Sequence, residues 1–366
     1  MESQPASPGF GASLQLKDCI EELLRFTLVS SIDGTLEIDL GLSKDYCSTL
    51  LQEDPSNPFP NSTGLSEGVP LYPLYKRLAA SLYEAISSEA LPRTENKLAV
   101  MQETSSLKQK EEEWASLIRE KGSHLLNVLK SVDFELHVQE PYFSLLRNGQ
   151  KTVEGRCAVG HYNKYDFIMT CAFILINKCL ILQVQDVCHY HSFREMLEAE
   201  SLKEVLPGVD TTEEGVQVYR KFYSEEKERS NGVLAISVKK LVSQPSIDLS
   251  CMLSVRIEIE RCMSSPNSES NFFQELSYAG VQRLLGFICT AGAVSEALPP
   301  PTSSLISSFL LPHNPNTKGC TLTDGARALS KHVNRSSDRY WGSFSGSVHC
   351  YFWKAIPRCL TMKFFF

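Results

Sequence analysis

Residues 137–156 read HVQEPYFSLLRNGQKTVEGR, and the rest of the fold is organised around them. This segment predicts a strand, a short helix and a second strand. The first strand is indicated by residues 134–138, where apolar and polar side chains alternate with the period of a half-buried strand. Pro141 suits the first turn of the helix, and Gly149 suits a left-handed residue at its end.

The second strand carries polar side chains on one face. Thr152, Glu154 and Arg156 share that face because they lie two residues apart, and Lys151 stands at its start. One interpretation is a solvated ion pair between Glu154 and Arg156, which has little energetic consequence. The other is a built site, since lysine supplies a point charge and arginine a planar fork that matches a phosphate or a base edge.

The segment GQKTVEGR at residues 149–156 resembles the start of the ASCH domain, named for its homology to an activating signal cointegrator. That family carries a G-x-K-T-x-E-x-R pattern after a strand and a short helix. The specified positions are filled by Gly149, Lys151, Thr152, Glu154 and Arg156. The resemblance covers roughly 110 of the 366 residues. It implies an α+β fold, with a small β-barrel of the PUA-like superfamily at residues 133–242.

The resemblance also implies an RNA- or nucleotide-binding protein that acts in RNA metabolism or transcription coactivation. The predicted RNA- or nucleotide-binding residues are Lys151, Thr152, Glu154, Arg156, Tyr142 and Tyr162. The two tyrosines are placed at the rim of the pocket, where they can stack on bases. Residues 133–241 hold 13 Lys and Arg against 16 Asp and Glu, a net charge of −3. Any recognition of RNA must therefore be local rather than spread over a basic surface.

Two other functions remain open. Some bacterial ASCH proteins are amidohydrolases for acetylated cytidine, and their nucleophile is a threonine two residues before the motif arginine. Glu154 stands there in this chain, and a carboxylate replaces an attacking hydroxyl poorly. Thr152 lies about 7 Å further along the strand. The resemblance thus favours a binding module over an enzyme, and no catalytic residue is predicted. The third possibility is a protein-interaction adaptor in a transcriptional coactivator complex, binding its partner through the N-terminal region.

Composition excludes several other classes. The net charge is −7, so the molecule as a whole does not attract nucleic acid. The N-terminal residues form no signal peptide, and no run approaches the roughly 20 apolar residues of a membrane span. The 12 cysteines form no C-x-x-C pair, which predicts free thiols. We expect a soluble protein of the nucleus or cytoplasm, with no metal, no cofactor and no membrane partner.

Local patterns add detail within the ASCH region. Asn177 and Lys178 are predicted to form a hairpin turn, and the pairs Ser192 with Glu195 and Thr211 with Glu214 are predicted to cap two helices. The second of these helices carries an apolar face of Val216, Tyr219 and Phe222.

Hydrophobic periodicity divides the rest of the chain. The predicted parts are a helical region at 1–132, the ASCH domain at 133–242, a linker at 243–270, a partial helical region at 271–342 and an irregular tail at 343–366. The part from Gly280 to Gly342 is similar to plant ASCH-domain proteins, which continue into a longer C-terminal part. The tail shows neither a clear period nor a capping residue, so we expect either a truncated isoform or a wrongly assembled transcript, with an incomplete C-terminal domain.

Overall fold

The computed structural model describes residues 15–54, 72–88, 105–159 and 171–254, together with 278, 280–282, 284, 285, 298, 300–311 and 323. The predicted site residue Tyr162 lies outside the described residues. So do most of the predicted C-terminal helical region and the whole predicted tail at 343–366.

Helices form a layer in the N-terminal part of the chain, as the hydrophobic periodicity predicts. Their bounds are Leu16–Asp33 (α1), Lys44–Leu51 (α2), Leu74–Ser88 (α3) and Ser105–Lys130 (α4). Helix α1 ends at Gly34, whose φ of +69° is the left-handed conformation that glycine adopts without strain. Helix α2 begins after Ser43, whose hydroxyl accepts a hydrogen bond from the Tyr46 N–H.

A five-stranded sheet follows in the described part of the chain, in the order β1-β3-β4-β5-β2. The strands are Phe134–Leu136 (β1), Val153–Cys157 (β2), Phe173–Ile176 (β3), Leu180–Tyr190 (β4) and Val233–Lys240 (β5). Strand β1 pairs with β3 in parallel, and the other neighbours are antiparallel. A register shift between Val184 and Asp186 lets β4 bend, and the sheet curls into a half-barrel. The α+β class and the small curled barrel are thereby confirmed.

The hairpin turn between β3 and β4 holds the segment that follows the edge strand β1. Asn177 and Lys178 connect β3 to β4 with φ of +49° and +59°, the left-handed pair that suits a two-residue hairpin. The Asn177 amide also holds the chain that leaves β1. Its Nδ2 donates to the Val138 carbonyl at 2.8 Å, and its Oδ1 accepts from the Val138 N–H at 2.9 Å. Segment 137–139 is thereby fixed beside the sheet.

Short helices surround the barrel. Their bounds are Tyr142–Arg147 (α5), Phe193–Ala199 (α6), Leu202–Val205 (α7), Thr212–Arg220 (α8) and Glu225–Asn231 (α9). Side-chain hydroxyls of Ser192, Thr211 and Ser224 cap α6, α8 and α9. The caps at Ser192 and Thr211 were predicted from their spacing to Glu195 and Glu214, and both are confirmed.

The N-terminal helices and the barrel share one apolar core. It runs from Cys19 and Leu23 of α1 to Ile174 of β3 and Ile181 of β4. A second core lies on the other side of the sheet, where Phe193 and Tyr219 pack against Val153 and Ala235. The sheet therefore packs against helices on both faces, with the helical layer that contains α1 on one side and α6–α8 on the other.

A further helix, Pro245–Ser254 (α10), occupies the first part of the predicted linker. It packs along α4, where the Trp114 indole Nε1 donates to the Met252 carbonyl at 3.2 Å. The His124 imidazole Nδ1 also lies 2.6 Å from Asp248 Oδ2. A last described helix spans Thr302–Leu310.

Seven cysteines lie among the described residues, and all of them are free thiols. In the same part of the chain, no group of three or more acidic, histidine or cysteine side chains is arranged to hold a metal ion. The helices there are too short or too polar to cross a membrane.

Candidate functional site

The motif strand starts from a tight turn after α5. Gly149 adopts a φ of +73°, as its place after the short helix predicts. The N–H groups of Gln150 and Lys151 then both donate to the Leu145 carbonyl, at 2.9 and 3.1 Å. This turn brings the motif lysine to the end of β2, next to the motif glutamate.

The Lys151 ammonium makes its hydrogen bonds to other groups of the protein. Only 2% of this side chain is exposed. Its Nζ donates to the Val153 carbonyl at 2.6 Å and to the Val205 carbonyl, and it lies 3.2 Å from Glu154 Oε2. An ammonium has three N–H groups, so these three acceptors use all of them. Burial lowers the pKa of Lys151, and the charge of Glu154 opposes that shift.

Glu154 lies between two cations. Its Oε1 accepts from Arg156 Nε at 2.9 Å while its Oε2 faces Lys151. Burial alone would raise the pKa of Glu154, but Lys151 and Arg156 outweigh it and hold the pKa below its ordinary value. The carboxylate is therefore ionised at neutral pH.

Arg156 connects the two open edges of the curled sheet. Its Nη2 donates to the His137 carbonyl at 2.6 Å, and His137 belongs to the segment that leaves β1. Strands β1 and β2 are the edges of the sheet, so a seam lies between β2 and segment 137–139. Arg156 spans that seam. The side chains of Glu154 and Arg156 remain 11% and 13% exposed.

A cleft lies in this seam. Its empty volume, including the part open to solvent, is about 480 Å³, but only about 50 Å³ of it admits the centre of a water molecule. The lining residues are His137, Val138, Gln139, Tyr142, Lys151, Glu154, Gly155, Arg156, Leu206, Val218, Tyr219, Phe222 and Tyr223. The cleft is thus narrow, with a charged floor and an aromatic wall.

The aromatic wall is held by ring stacking. Phe193 stacks on Tyr219, with ring centroids 4.1 Å apart and planes 9° apart, and on Tyr223 at 5.5 Å and 24°. Tyr142 also lines the cleft, and its ring centroid lies 5.8 Å from Lys151 Nζ. Burial raises the pKa of Tyr219 well above its ordinary value, and the charge of Glu154 adds to that shift.

The structure brings four of the six predicted site residues to the cleft: Lys151, Glu154, Arg156 and Tyr142. Thr152 is not among the lining residues. Its N–H donates to the Glu204 carbonyl at 3.0 Å, and its carbonyl accepts from the Val238 N–H at 2.8 Å. The sixth, Tyr162, lies outside the described residues.

Part of the aromatic wall was not predicted from the sequence. Tyr219 and Phe222 were predicted only as the apolar face of a helix, and Tyr223 was not singled out. The signal was present as three aromatic residues within five positions at the end of α8. Their helical spacing indicated a buried face, and only the packing against Phe193 places them at the seam.

Comparison with known proteins identifies the domain. A sequence model of the ASCH domain matches residues 136–242. This chain belongs to the ASCH-domain family. The family match and the curled sheet also confirm the PUA-like fold. ASCH domains are generally linked to RNA binding.

Two solved structures are similar to part of this ASCH-domain protein. The crystal structure of the hypothetical protein PH0355 is 40% identical, and the match covers 98% of that chain and 30% of this one with a TM-score of 0.28. The solution NMR structure of protein PF0455 from Pyrococcus furiosus is 41% identical, with the same coverage and a TM-score of 0.27. No protein with curated annotation matches the chain significantly.

Proposed function

We propose that this protein binds single-stranded RNA, or a nucleotide, in the seam cleft. The observation that carries the proposal is the convergence of a fixed charged pair, Glu154 and Arg156, with aromatic side chains on one narrow opening. The general link between ASCH domains and RNA binding supports RNA as the partner.

The charged floor is organised before any ligand arrives. Arg156 is held at Nε by Glu154 and at Nη2 by the His137 carbonyl, and Glu154 is held in turn by Lys151. A ligand therefore meets groups that need no ordering, which reduces the entropic cost of binding. Lys151 contributes by positioning Glu154, since its own N–H groups are used.

The aromatic wall supplies sequence-tolerant affinity. Tyr142, Phe222 and Tyr223 are each half-buried and line the cleft. Stacking of a base on such a ring is worth about 1–3 kcal/mol per base. Unpaired bases can reach these rings, whereas bases stacked inside a duplex cannot.

The charge of the domain fits a small number of contacts. Residues 133–241 carry a net −3, so attraction to a long phosphate backbone is weak. Recognition then depends on the few groups of the cleft, and we expect a short single-stranded segment to be the ligand.

Hydrolysis of acetylated cytidine is the alternative that the family resemblance raises. Glu154 stands at the nucleophile position, and its ionised carboxylate is held by two cations. A carboxylate in that state is a weak nucleophile toward an amide. We therefore expect acetylcytidine to be left intact by the purified protein, and release of acetate would overturn this preference.

A protein partner in a coactivator complex is the second alternative. Helices α1–α4 share their core with the barrel, so residues 1–132 alone would expose apolar surface. Capture of partners by that fragment would then be uninformative, and the full chain is the proper bait.

The test is a fluorescence-anisotropy titration of a labelled eight-nucleotide single-stranded RNA of mixed sequence. Removing a stacking ring with Tyr223→Ala should raise Kd about 5- to 100-fold. His191→Ala removes an exposed ring outside the cleft and should leave Kd unchanged. Circular dichroism of each variant checks that the fold is intact. No binding by the wild type, or equal Kd for the wild type and Tyr223→Ala, would reject the proposal.

A further inference from the structure

The hydrogen-bonding pattern between β2 and β5 determines which main-chain groups of β2 face the seam. The Val238 N–H donates to the Thr152 carbonyl at 2.8 Å, and the Ala158 N–H donates to the Gly232 carbonyl at 2.9 Å. In an antiparallel pair, residues whose N–H and C=O both face the partner alternate with residues whose groups both face away. The residues of β2 that face away from β5 are therefore Val153, Gly155 and Cys157.

The chain itself occupies two of these three outward carbonyls. The Val153 carbonyl accepts from Lys151 Nζ at 2.6 Å, and the Cys157 carbonyl accepts from the Val159 N–H at 2.8 Å. Gly155 lies between them and lines the cleft. Neither its N–H nor its C=O bonds to another described residue. The N–H and C=O of Gly155 are therefore open hydrogen-bonding groups on the part of the strand edge that lines the cleft.

A second polar group without a partner lies against this edge. Tyr219 is only 6% exposed, and its hydroxyl makes no hydrogen bond to a described residue. A Cβ atom at Gly155 would collide with that hydroxyl and would lie 2.8 Å from Met196 Cε, so the hydroxyl rests directly on the glycine. This hydroxyl is not among the fully buried polar atoms without a partner, and Tyr219 lines the cleft, so a polar atom of a ligand can reach it.

We propose that the Gly155 N–H and C=O, together with the Tyr219 hydroxyl, read the edge of an unpaired nucleobase inserted into the seam. This inference rests on the proposed RNA binding and adds the atoms that recognise the ligand. The Watson–Crick edge of each base places a donor beside an acceptor, and a neighbouring strand would offer Gly155 the same arrangement. The small inner volume of the cleft admits a base edge rather than a whole nucleotide.

The same geometry explains why position 155 is a glycine. Any side chain there would displace Tyr219 from its stack on Phe193, and it would fill the space beside the open edge. The recognition edge and the aromatic wall are thus built against each other. A paired base, or one methylated at the ring nitrogen of its Watson–Crick edge, cannot make these hydrogen bonds.

The test observes the Gly155 amide directly by NMR. Labelling glycine with ¹⁵N and the glutamate carbonyl with ¹³C selects the Glu–Gly pairs, which are Glu67–Gly68, Glu154–Gly155 and Glu214–Gly215 in this sequence. Each of the four nucleoside 5′-monophosphates is added in turn. At least one should move the Gly155 amide proton downfield in a saturable way. Gly215, which packs against Leu197 inside the second core, should not move.

Two controls separate base-edge recognition from general binding. The N-methylated form of the active base, for example 3-methyluridine 5′-monophosphate for uridine, should leave the Gly155 amide unshifted. Tyr219→Phe keeps the ring but removes the hydroxyl, and it should raise the Kd of the active nucleotide about two- to tenfold. Tyr83→Phe, on the half-buried face of α3, is the matched control and should not change it.

The failures of the two proposals are distinguishable. If the RNA octamer binds but no nucleotide moves the Gly155 amide, the base-edge inference is wrong and RNA binding in the cleft stands. A shift that the methylated base reproduces also rejects the inference. If neither the octamer nor any nucleotide binds, both proposals are wrong.

Discussion

Glu154 and Glu228 are both buried carboxylates of the ASCH domain, and each is held by an arginine and a second donor. Glu154 accepts from Arg156 and pairs with Lys151. Glu228 pairs with Arg220 through Oε2, and its Oε1 accepts the Phe193 N–H at 2.6 Å. By burial and charge alone, the two would be equal candidates for a functional group.

Their surroundings are what distinguish them. Glu228 joins α9 to the start of α6, and it does not line the seam cleft. Glu154 lies beside the open edge of β2, where Gly155 and Tyr219 present polar groups without a partner among the described residues. A buried ion pair is therefore poor evidence of a site in this protein. The Arg220 Nη1 beside Glu228 is also buried without a hydrogen-bond partner among the described residues. Unfilled groups are therefore better evidence only where they line an open cleft, as Gly155 does.

The largest expected difference between the two carboxylates is in stability. Glu154→Ala leaves the Lys151 ammonium buried and without its countercharge, and should lower the free energy of unfolding by about 3–5 kcal/mol. Glu228→Ala leaves Arg220, whose side chain is 22% exposed and can be rehydrated, so we expect about 1–3 kcal/mol. Urea unfolding measures both.

A second change separates the cost of the charge from the cost of the cavity. Adding Lys151→Met to Glu154→Ala removes the unpaired ammonium and should recover part of the loss. The comparison would be contradicted if Glu154→Ala and Glu228→Ala lowered the free energy of unfolding equally and if adding Lys151→Met to Glu154→Ala recovered none of the loss.

Overpacking at the strand edge should have the next largest effect. Gly155→Ala places a methyl group on the Tyr219 hydroxyl and against Met196, and should destabilise the fold by about 1–3 kcal/mol. Combining it with Tyr219→Phe removes the nearest atom and should restore part of that stability in thermal unfolding. A fully tolerated Gly155→Ala would mean that Tyr219 does not rest on this glycine.

Acid should weaken the Glu154 network. The folded-state pKa of Glu154 lies below its ordinary value of 4.5, so its ionised form stabilises the fold above that pH. This contribution is lost as the pH falls through the depressed pKa. The difference in unfolding free energy between wild type and Glu154→Gln should therefore be large at pH 7 and should shrink as the pH falls well below 4.5. A difference that does not change with pH would place the carboxylate in a different charge state.

The smallest expected effect is that of salt on RNA binding. Each phosphate contact with a single strand contributes about −0.7 to the slope of log K against log salt concentration. The cleft offers few cations and the domain is acidic, so we expect a slope between zero and about −1.5. A much steeper slope in anisotropy titrations would indicate binding along a basic surface elsewhere in the chain.

The sequence predicted those features that depend on neighbours in the chain. The turn at Gly149, the hairpin at Asn177 and the cap at Ser192 each follow from local conformational preference. The motif residues Glu154 and Arg156 reached the cleft because strand alternation puts them on one face.

Features that depend on distant partners were out of reach. The Lys151 ammonium uses one of its hydrogen bonds on the carbonyl of Val205, which lies 54 residues away in the chain. The register between β2 and β5 determines that the N–H and C=O of Gly155 face away from β5, and no local pattern specifies that register. Tyr219 joins the site only because Phe193 holds its ring across the second core.

Photo-crosslinking of single-stranded RNA to the full chain, with the crosslinked peptides mapped by mass spectrometry, shows directly whether RNA binds in the seam cleft. We expect adducts on the aromatic residues of the cleft, Tyr142, Tyr219, Phe222 and Tyr223. An excess of free nucleotide should reduce these adducts. Adducts confined to other parts of the chain, with these four residues unmodified, would contradict binding in the cleft.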